Sequence, residues 1–208
     1  MSFLASGLRL GAGGRARTEP AQDKALILYE FENCPYCRIA RESLSAAGVR
    51  VEVRPCPKGG TRFRPEVARL GGKSMFPYLI DPNTNTAMYE SADIARHARN
   101  TYGSGRMPVV HRLGPLNIIL SIAVFWARPL RGMFARTAEE PAQALEFNAA
   151  EHTPGARIIR EFLSTREIRY VWSSMSDTGS PALYDPNTGE VRTGSLNILT
   201  YLDGTYPS

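Results

Sequence analysis

Apolar residues come in short runs along this chain, and the first clear one, Ala25–Tyr29, has the length and composition of a buried strand. A tight turn follows. Then Ile39, Ala40, Ser43, Leu44 and Ala47 recur at spacings of three and four, which predicts one buried face of a helix closed by Gly48. Val49–Val53 alternates and is rich in β-branched residues, a second strand. Pro65 near its start and Gly71-Gly72 at its end delimit a helix over Thr61–Gly72. Met75–Ile80 predicts a third strand, Asp81–Thr84 a turn built on proline and asparagine, and Thr86–Tyr89 a fourth strand. Ser91 is placed to cap a helix running to Tyr102, with Ile94, Ala98 and Tyr102 turned inward. A strand–helix–strand this short closes right-handed with its strands parallel.

The pattern then recurs. The shift that carries Pro35 onto Pro154, 119 positions, also carries the run Arg38–Leu44 onto Arg157–Leu163 and Ala25-Leu26 onto Ala144-Leu145. After the second strand the shift becomes 104: Pro77, Asp81–Thr84, Ser91 and Ile94 meet Pro181, Asp185–Thr188, Ser195 and Ile198. The second copy lacks the stretch equivalent to the Thr61–Gly72 helix. The chain therefore divides into a leader helix or arm (1–23), a first unit (24–104), a linker (105–143) and a second, shorter unit (144–208). Phe3, Leu4, Leu8 and Leu10 beside Arg9, Arg15 and Arg17 invite a targeting interpretation of the leader. Its Ser2, Arg9, Gly13 and Ala16-Arg17-Thr18 recur at Ser121, Arg128, Gly132 and Ala135-Arg136-Thr137, which favours structure over address. In the linker, Leu113–Trp126 is almost wholly apolar. At fourteen residues it falls short of the ~20 that a membrane span needs. It is expected to pack between the units, to join two copies of the chain as a homodimer, or to touch a membrane surface.

A length of 208 residues allows one or two domains with a real core. The 25 basic and 20 acidic side chains form no long Lys/Arg run, so a nucleic-acid partner is not expected and the charge reads as a solvated face. Three cysteines are too few and too uneven for a disulfide framework, and two stand in a redox spacing, which suits a reducing cytoplasm.

Those two, Cys34 and Cys37, carry the candidate chemistry. A Cys-x-x-Cys at a strand-to-helix junction puts Cys34 at a helix N-terminus, where unpaired N–H groups and the positive end of the macrodipole favour a thiolate. Pro35 suits the first helical position and Arg38 adds a cation one residue past the motif. Such surroundings bring a thiol from ~8.5 down to roughly 3.5–7.5, so that the nucleophilic form becomes major. Cys37, one turn on, is placed to attack a mixed disulfide formed at Cys34. The rival is half of a zinc site. That needs a second Cys/His pair, whereas Cys56 is single and His97, His111 and His152 show no ligand spacing. No metal is expected. Cys56 reads as a structural thiol or a peripheral redox one.

Cys34-Pro35-Tyr36-Cys37 is the dithiol motif of glutaredoxins, and Ala25–Gly103 resembles the N-terminal, thioredoxin-like domain of glutathione transferases. The run Pro55–Gly60, Phe76-Pro77-Tyr78, Asp81–Thr84 and Glu90-Ser91 narrow the likeness to proteins with two such domains in tandem. The fold class implied is α/β, two tandem thioredoxin-like domains joined by an apolar helical linker. The resemblance implies a glutathione-dependent thiol–disulfide oxidoreductase with glutathione as co-substrate, acting on disulfides or glutathionylated proteins and small molecules. It assigns Cys34 and Cys37 to catalysis, and Tyr36, Arg38, Phe76, Pro77, Glu90 and Ser91 to binding glutathione. Pro77 would be a cis-proline facing the dithiol. Ser91 would hold the γ-glutamyl carboxylate at a helix N-terminus and Glu90 its ammonium. Some glutaredoxin relatives share a [2Fe–2S] cluster between two chains, which the proline of this motif disfavours. A conjugating transferase and a glutathione-binding scaffold are the alternatives. Two departures stand out. Glutaredoxins usually carry a lysine three residues before the first cysteine, where this chain has Phe31, leaving Arg38 or Lys58 to meet the glycine carboxylate. In the second unit Thr153, Ala156 and Gly194 replace Cys34, Cys37 and Glu90, so it is expected to be chemically silent.

Overall fold

A computed structural model describes residues 22–103, 132–136, 138–174 and 179–208. The leader before residue 22 and the apolar run 113–126 lie outside the described residues, so the roles expected of them stay expectations.

The first half runs β1 (Leu26–Glu30), α1 (Pro35–Ala47), β2 (Val51–Pro55), α2 (Arg64–Gly71), β3 (Tyr78–Asp81), β4 (Thr86–Met88) and α3 (Ser91–Thr101). The second runs β5 (Leu145–Asn148), α4 (Pro154–Thr165), β6 (Tyr170–Ser173), β7 (Ala182–Asp185), β8 (Glu190–Thr193) and α5 (Ser195–Thr205). In each half the first strand pairs parallel with the second and antiparallel with the third, which pairs antiparallel with the fourth. Residues 174–181 join β6 to β7, and among the described residues no helix stands between these strands.

Local chemistry accounts for most boundaries. Gly48 ends α1 with φ 73°, the left-handed region glycine adopts at no steric cost, and sends its N–H back to Leu44 and Ser45 carbonyls. The Val49 N–H also returns to Leu44, so β2 starts at Val51, later than alternation alone suggests. β3 starts at Tyr78, after Pro77, which has no N–H to give a ladder. Ser91, expected as a cap, is instead the first residue of α3. Glu90 holds the cap position without a side-chain hydrogen bond to the helix. Tyr102 is only partly buried and donates its hydroxyl to Asp81, whose buried carboxylate also accepts from Asn83, Thr84 and His97. Asp185 repeats this arrangement with Asn187, Tyr201 and Tyr206.

One pairing was not foreshadowed by any pattern. β2 lies antiparallel beside β6, Val51 opposite Trp172 and Val53 opposite Tyr170. The two halves thereby share one eight-stranded sheet ordered β4-β3-β1-β2-β6-β5-β7-β8. Their apolar faces merge in a single core that includes Leu28, Val51 and Leu79 from one half and Phe147, Tyr170 and Trp172 from the other.

Joining at β2 and β6 also brings α1 against the second half, and this overturns the solvated reading of its charges. Besides the expected apolar face, α1 buries Arg38, Arg41 and Glu42. Arg41, with no exposed surface, pairs with Glu30, with Glu32 at 3.0 Å and with Glu151 at 3.5 Å. Arg160, its counterpart in the repeat, pairs with Glu32 at 2.9 Å and Glu151 at 3.4 Å. Two arginines thus interlock with acids from both halves. A second seam lies near α2, where Glu167 accepts the Thr61 and Arg62 N–H groups at 3.1 and 3.2 Å.

Candidate functional site

The dithiol sits where β1 hands over to α1. Cys34 is the N-cap of α1, with extended backbone (φ −82°, ψ 122°), and Pro35 takes the first helical position, where a missing N–H costs nothing. The Cys37 N–H, one of the helix's otherwise orphaned donors, points at Cys34 Sγ at 3.2 Å. Cys34 keeps 5% of its surface exposed and Cys37 none, so of the two residues only the first reaches solvent. The site is more covered than the sequence suggests.

Electrostatics separates the two thiols. For Cys34, burial works against the charged form and Glu30 adds to that. The hydrogen bonds from Cys37's thiol and backbone N–H, and from the Tyr36 N–H, prevail and lower its pKa. For Cys37, burial leads and the neighbouring Cys34 reinforces it, raising the pKa well above the ordinary thiol value. Hydrogen bonds at the helix end, more than a cation, thus favour the Cys34 thiolate.

Sheet register gathers most of the remaining candidates around it. β1 and β3 pair with Tyr29 opposite Tyr78, so the segment leading to Cys34 runs beside the one containing Phe76 and Pro77. The Phe76–Pro77 peptide is cis, at the position the resemblance specifies. Phe31 meets Phe76 edge-on, with ring centroids 6.2 Å apart. β4 pairs Met88 with Leu79, and Tyr89 stacks 4.4 Å from Tyr78, so Glu90 and Ser91 emerge at this same end of the sheet. Glu90 is exposed and Ser91 is buried to 8%. Tyr36, 46% exposed, stands at the rim.

Two expected cations are elsewhere. Arg38 is 3% exposed, and burial together with nearby Arg157 lowers its pKa to about 10, so it belongs to the seam between the halves. Lys58 is engaged through its backbone with the Met133–Ala135 segment. The cation beside the cis-proline is instead Arg64, missed by sequence reasoning because it lies 27 residues past the motif. Its guanidinium lies 4.7 Å over the Phe76 ring, with Nε donating to the Cys56 and Pro57 carbonyls. Cys56 is fully buried and its thiol donates to the Arg54 carbonyl. Burial pushes its pKa up, the state of an inert structural thiol.

The equivalent place in the second half is closed. Thr153 caps α4 as Cys34 caps α1, with its hydroxyl accepting the Ala156 N–H at 3.3 Å. Gly155, counterpart of exposed Tyr36, has so little space that a Cβ there would meet Ser195 at 3.3 Å. Among the described residues Phe76–Pro77 is the one cis peptide, so the bond before Pro181 is trans. The second half carries no cysteine.

Residues 28–106 match the family model described as the glutathione S-transferase N-terminal domain. A search of curated proteins finds no match to the chain. The matched span contains Cys34, Cys37, the cis-proline and the Glu90-Ser91 pair. A glutathione-related thiol function is therefore supported for the first half. Among the described residues no helix is long and apolar enough to cross a membrane.

Proposed function

We propose that this chain is a glutathione-dependent thiol–disulfide oxidoreductase built on two tandem thioredoxin-like units, the first catalytic and the second silent. The observation that carries it is the Cys34 sulfur at the N-terminus of α1, receiving the Cys37 N–H. The Cys34 thiolate attacks the glutathione sulfur of a mixed disulfide. A Cys34–glutathione disulfide forms as the old S–S bond breaks, and the substrate leaves as a thiolate that takes up a proton. A second glutathione thiolate then attacks the bound glutathione sulfur, releasing oxidised glutathione and restoring Cys34. Alternatively Cys37 loses its proton and attacks Cys34 Sγ, expelling glutathione and leaving a Cys34–Cys37 disulfide that two glutathiones reduce. Three unpaired cysteines fit a reducing cytoplasmic setting.

Glutathione would lie along the Phe76-Pro77 segment. Its γ-glutamyl carboxylate meets the Ser91 N–H at the start of α3, its ammonium meets Glu90, and its glycine carboxylate meets Arg64. The backbone at Glu90 supports a binding role for that side chain. Its φ is +63°, left-handed, and the repeat places Gly194 at the same point with φ +82°. A carboxylate side chain thus occupies a conformation that glycine adopts freely and other residues hold at a cost of about 1–3 kcal/mol. Glu90→Gly is accordingly expected to raise stability by about 1 kcal/mol in denaturant unfolding. The same substitution weakens glutathione binding about tenfold or more by calorimetry, from loss of the ammonium's partner.

The direct test mixes reduced protein with oxidised glutathione and maps the adduct by mass spectrometry. One glutathione on Cys34, removed by excess reduced glutathione, supports the mechanism. An unmodified protein that instead conjugates glutathione to an electrophile identifies a transferase.

A further inference from the structure

Cys34 is approached through a three-residue loop, Phe31-Glu32-Asn33, closed by the Cys34 N–H donating to the Phe31 carbonyl at 3.1 Å. The middle residue of that loop is held from the other half of the molecule, by backbone and side chain alike. The Glu32 N–H donates to Ser164 Oγ at 3.3 Å, and Ser164 donates in turn to the Gly132 carbonyl at 2.9 Å. The Glu32 carboxylate accepts from Arg160 through Nε at 2.9 Å and Nη2 at 3.4 Å. Gly132 lies so close that a Cβ on it would stand 3.0 Å from Glu32 Cβ. These groups are nearly sealed from water: Glu32 2%, Arg160 1% and Ser164 3% exposed. Resting on the reading of Cys34 as nucleophile, we propose that Arg160 and Ser164 are positioning residues for it. The thiol-free half thereby completes the site of the other.

The physical case has two parts. A thiol–disulfide exchange needs three sulfurs nearly in line, so a small displacement of the Cys34 loop lowers its rate steeply. The charge on Glu32 also has to be balanced. Arg41 sits 3.0 Å from the same carboxylate. Glu30 and Glu151 lie within that cluster, Tyr170 borders it, and Arg38 and Arg157 flank it. Loosening Arg160 leaves Glu32 less neutralised two residues from the sulfur, which disfavours a thiolate there.

The test uses the full chain and a small alkylating reagent, with and without the glutathione assay. Ser164→Ala removes the acceptor for the Glu32 N–H while touching no charge. Arg160→Lys keeps the charge but loses the two-nitrogen grip on the carboxylate. Both variants should fold, by circular dichroism and thermal melting. At pH 7, Cys34 should alkylate about tenfold more slowly in Arg160→Lys, with the midpoint of the pH profile moved up by about one unit. Ser164→Ala should show a slower rate with a smaller move of the midpoint. In mixed-disulfide reduction kcat should fall in both while KM for glutathione holds. Arg160→Met strips a buried counter-charge and can fail to fold, which is why the gentler pair carries the test. Folded variants that alkylate and turn over like the wild type overturn the proposal. If the wild type has no reductase activity, the functional reading falls, and the alkylation profiles still decide whether Arg160 and Ser164 position the sulfur.

Discussion

If the proposed reaction is right, Cys34→Ser is expected to eliminate reduction of a glutathione mixed disulfide, whereas Cys37→Ser is expected to keep measurable turnover. The first change removes the sulfur that forms the covalent intermediate. A serine hydroxyl at the same helix end stays protonated and cannot make a disulfide, so the rate drops by about a thousandfold or more, toward that of glutathione alone. The second change leaves the nucleophile and a route through a second glutathione. It also swaps the Cys37 thiol, one of the groups lowering the Cys34 pKa, for a hydroxyl that can donate in its place, whereas Cys37→Ala deletes that hydrogen bond and leaves only the backbone N–H at 3.2 Å. The alkylation midpoint of Cys34 should therefore lie below the ~8.5 of a free thiol in the wild type and move up in Cys37→Ala. Stopped-flow alkylation between pH 4 and 9, about the range over which perturbed thiols titrate, measures both. A wild-type midpoint above about 8.5, or full activity in Cys34→Ser, contradicts the mechanism.

Arg41→Met is expected to destabilise the fold by about 3–5 kcal/mol, the cost of breaking a buried ion pair from one side. Arg41 is fully buried among Glu30, Glu32 and Glu151. Glu32 keeps Arg160, but Glu30 loses its direct partner in a site where burial already pushes its pKa up. For a chain of this size that loss lowers the melting temperature by roughly 10 °C. Arg96→Ala is the control. Its pair with Asp93 at 2.7 Å is exposed on both sides, and exposed pairs of this kind change stability by about 0.5 kcal/mol or less. Equal effects of the two substitutions would mean that the interlocked arginines do not hold the halves together.

The contrast between those arginines shows where sequence reasoning reached and where it stopped. Ile39, Ala40 and Leu44 announce the face of α1 that meets its own sheet, because an apolar stripe at helical spacing has one use. Arg41 and Glu42 on the same helix look like a water-facing surface, and Arg38 like a cation serving the dithiol. Nothing local distinguishes a charge destined for solvent from one whose counter-ion, Glu151, stands 110 positions away. Likewise Val51 and Val53 mark β2 as a strand but do not say that its free edge accepts β6. Main-chain pairing leaves no signature in side-chain pattern. Arg64 lies over Phe76 only because β1, β3 and the start of α2 converge there. The φ of Glu90 emerges only once β4 and α3 are joined in space.

By itself, the amino-acid order determined the local chemistry: a cysteine at a helix start, glycine stops, a recurring pattern, and a second half that carries no cysteine. These rest on contacts a few residues apart, or on recurrence within the chain. Tertiary structure alone decided that the halves share one sheet, that acids and arginines interlock at the seam, and that Cys34 keeps only a narrow opening. The reason is desolvation. A buried charge or an edge strand is tolerable only when its partner arrives from far along the chain, and that partner becomes identifiable only after folding brings the two together.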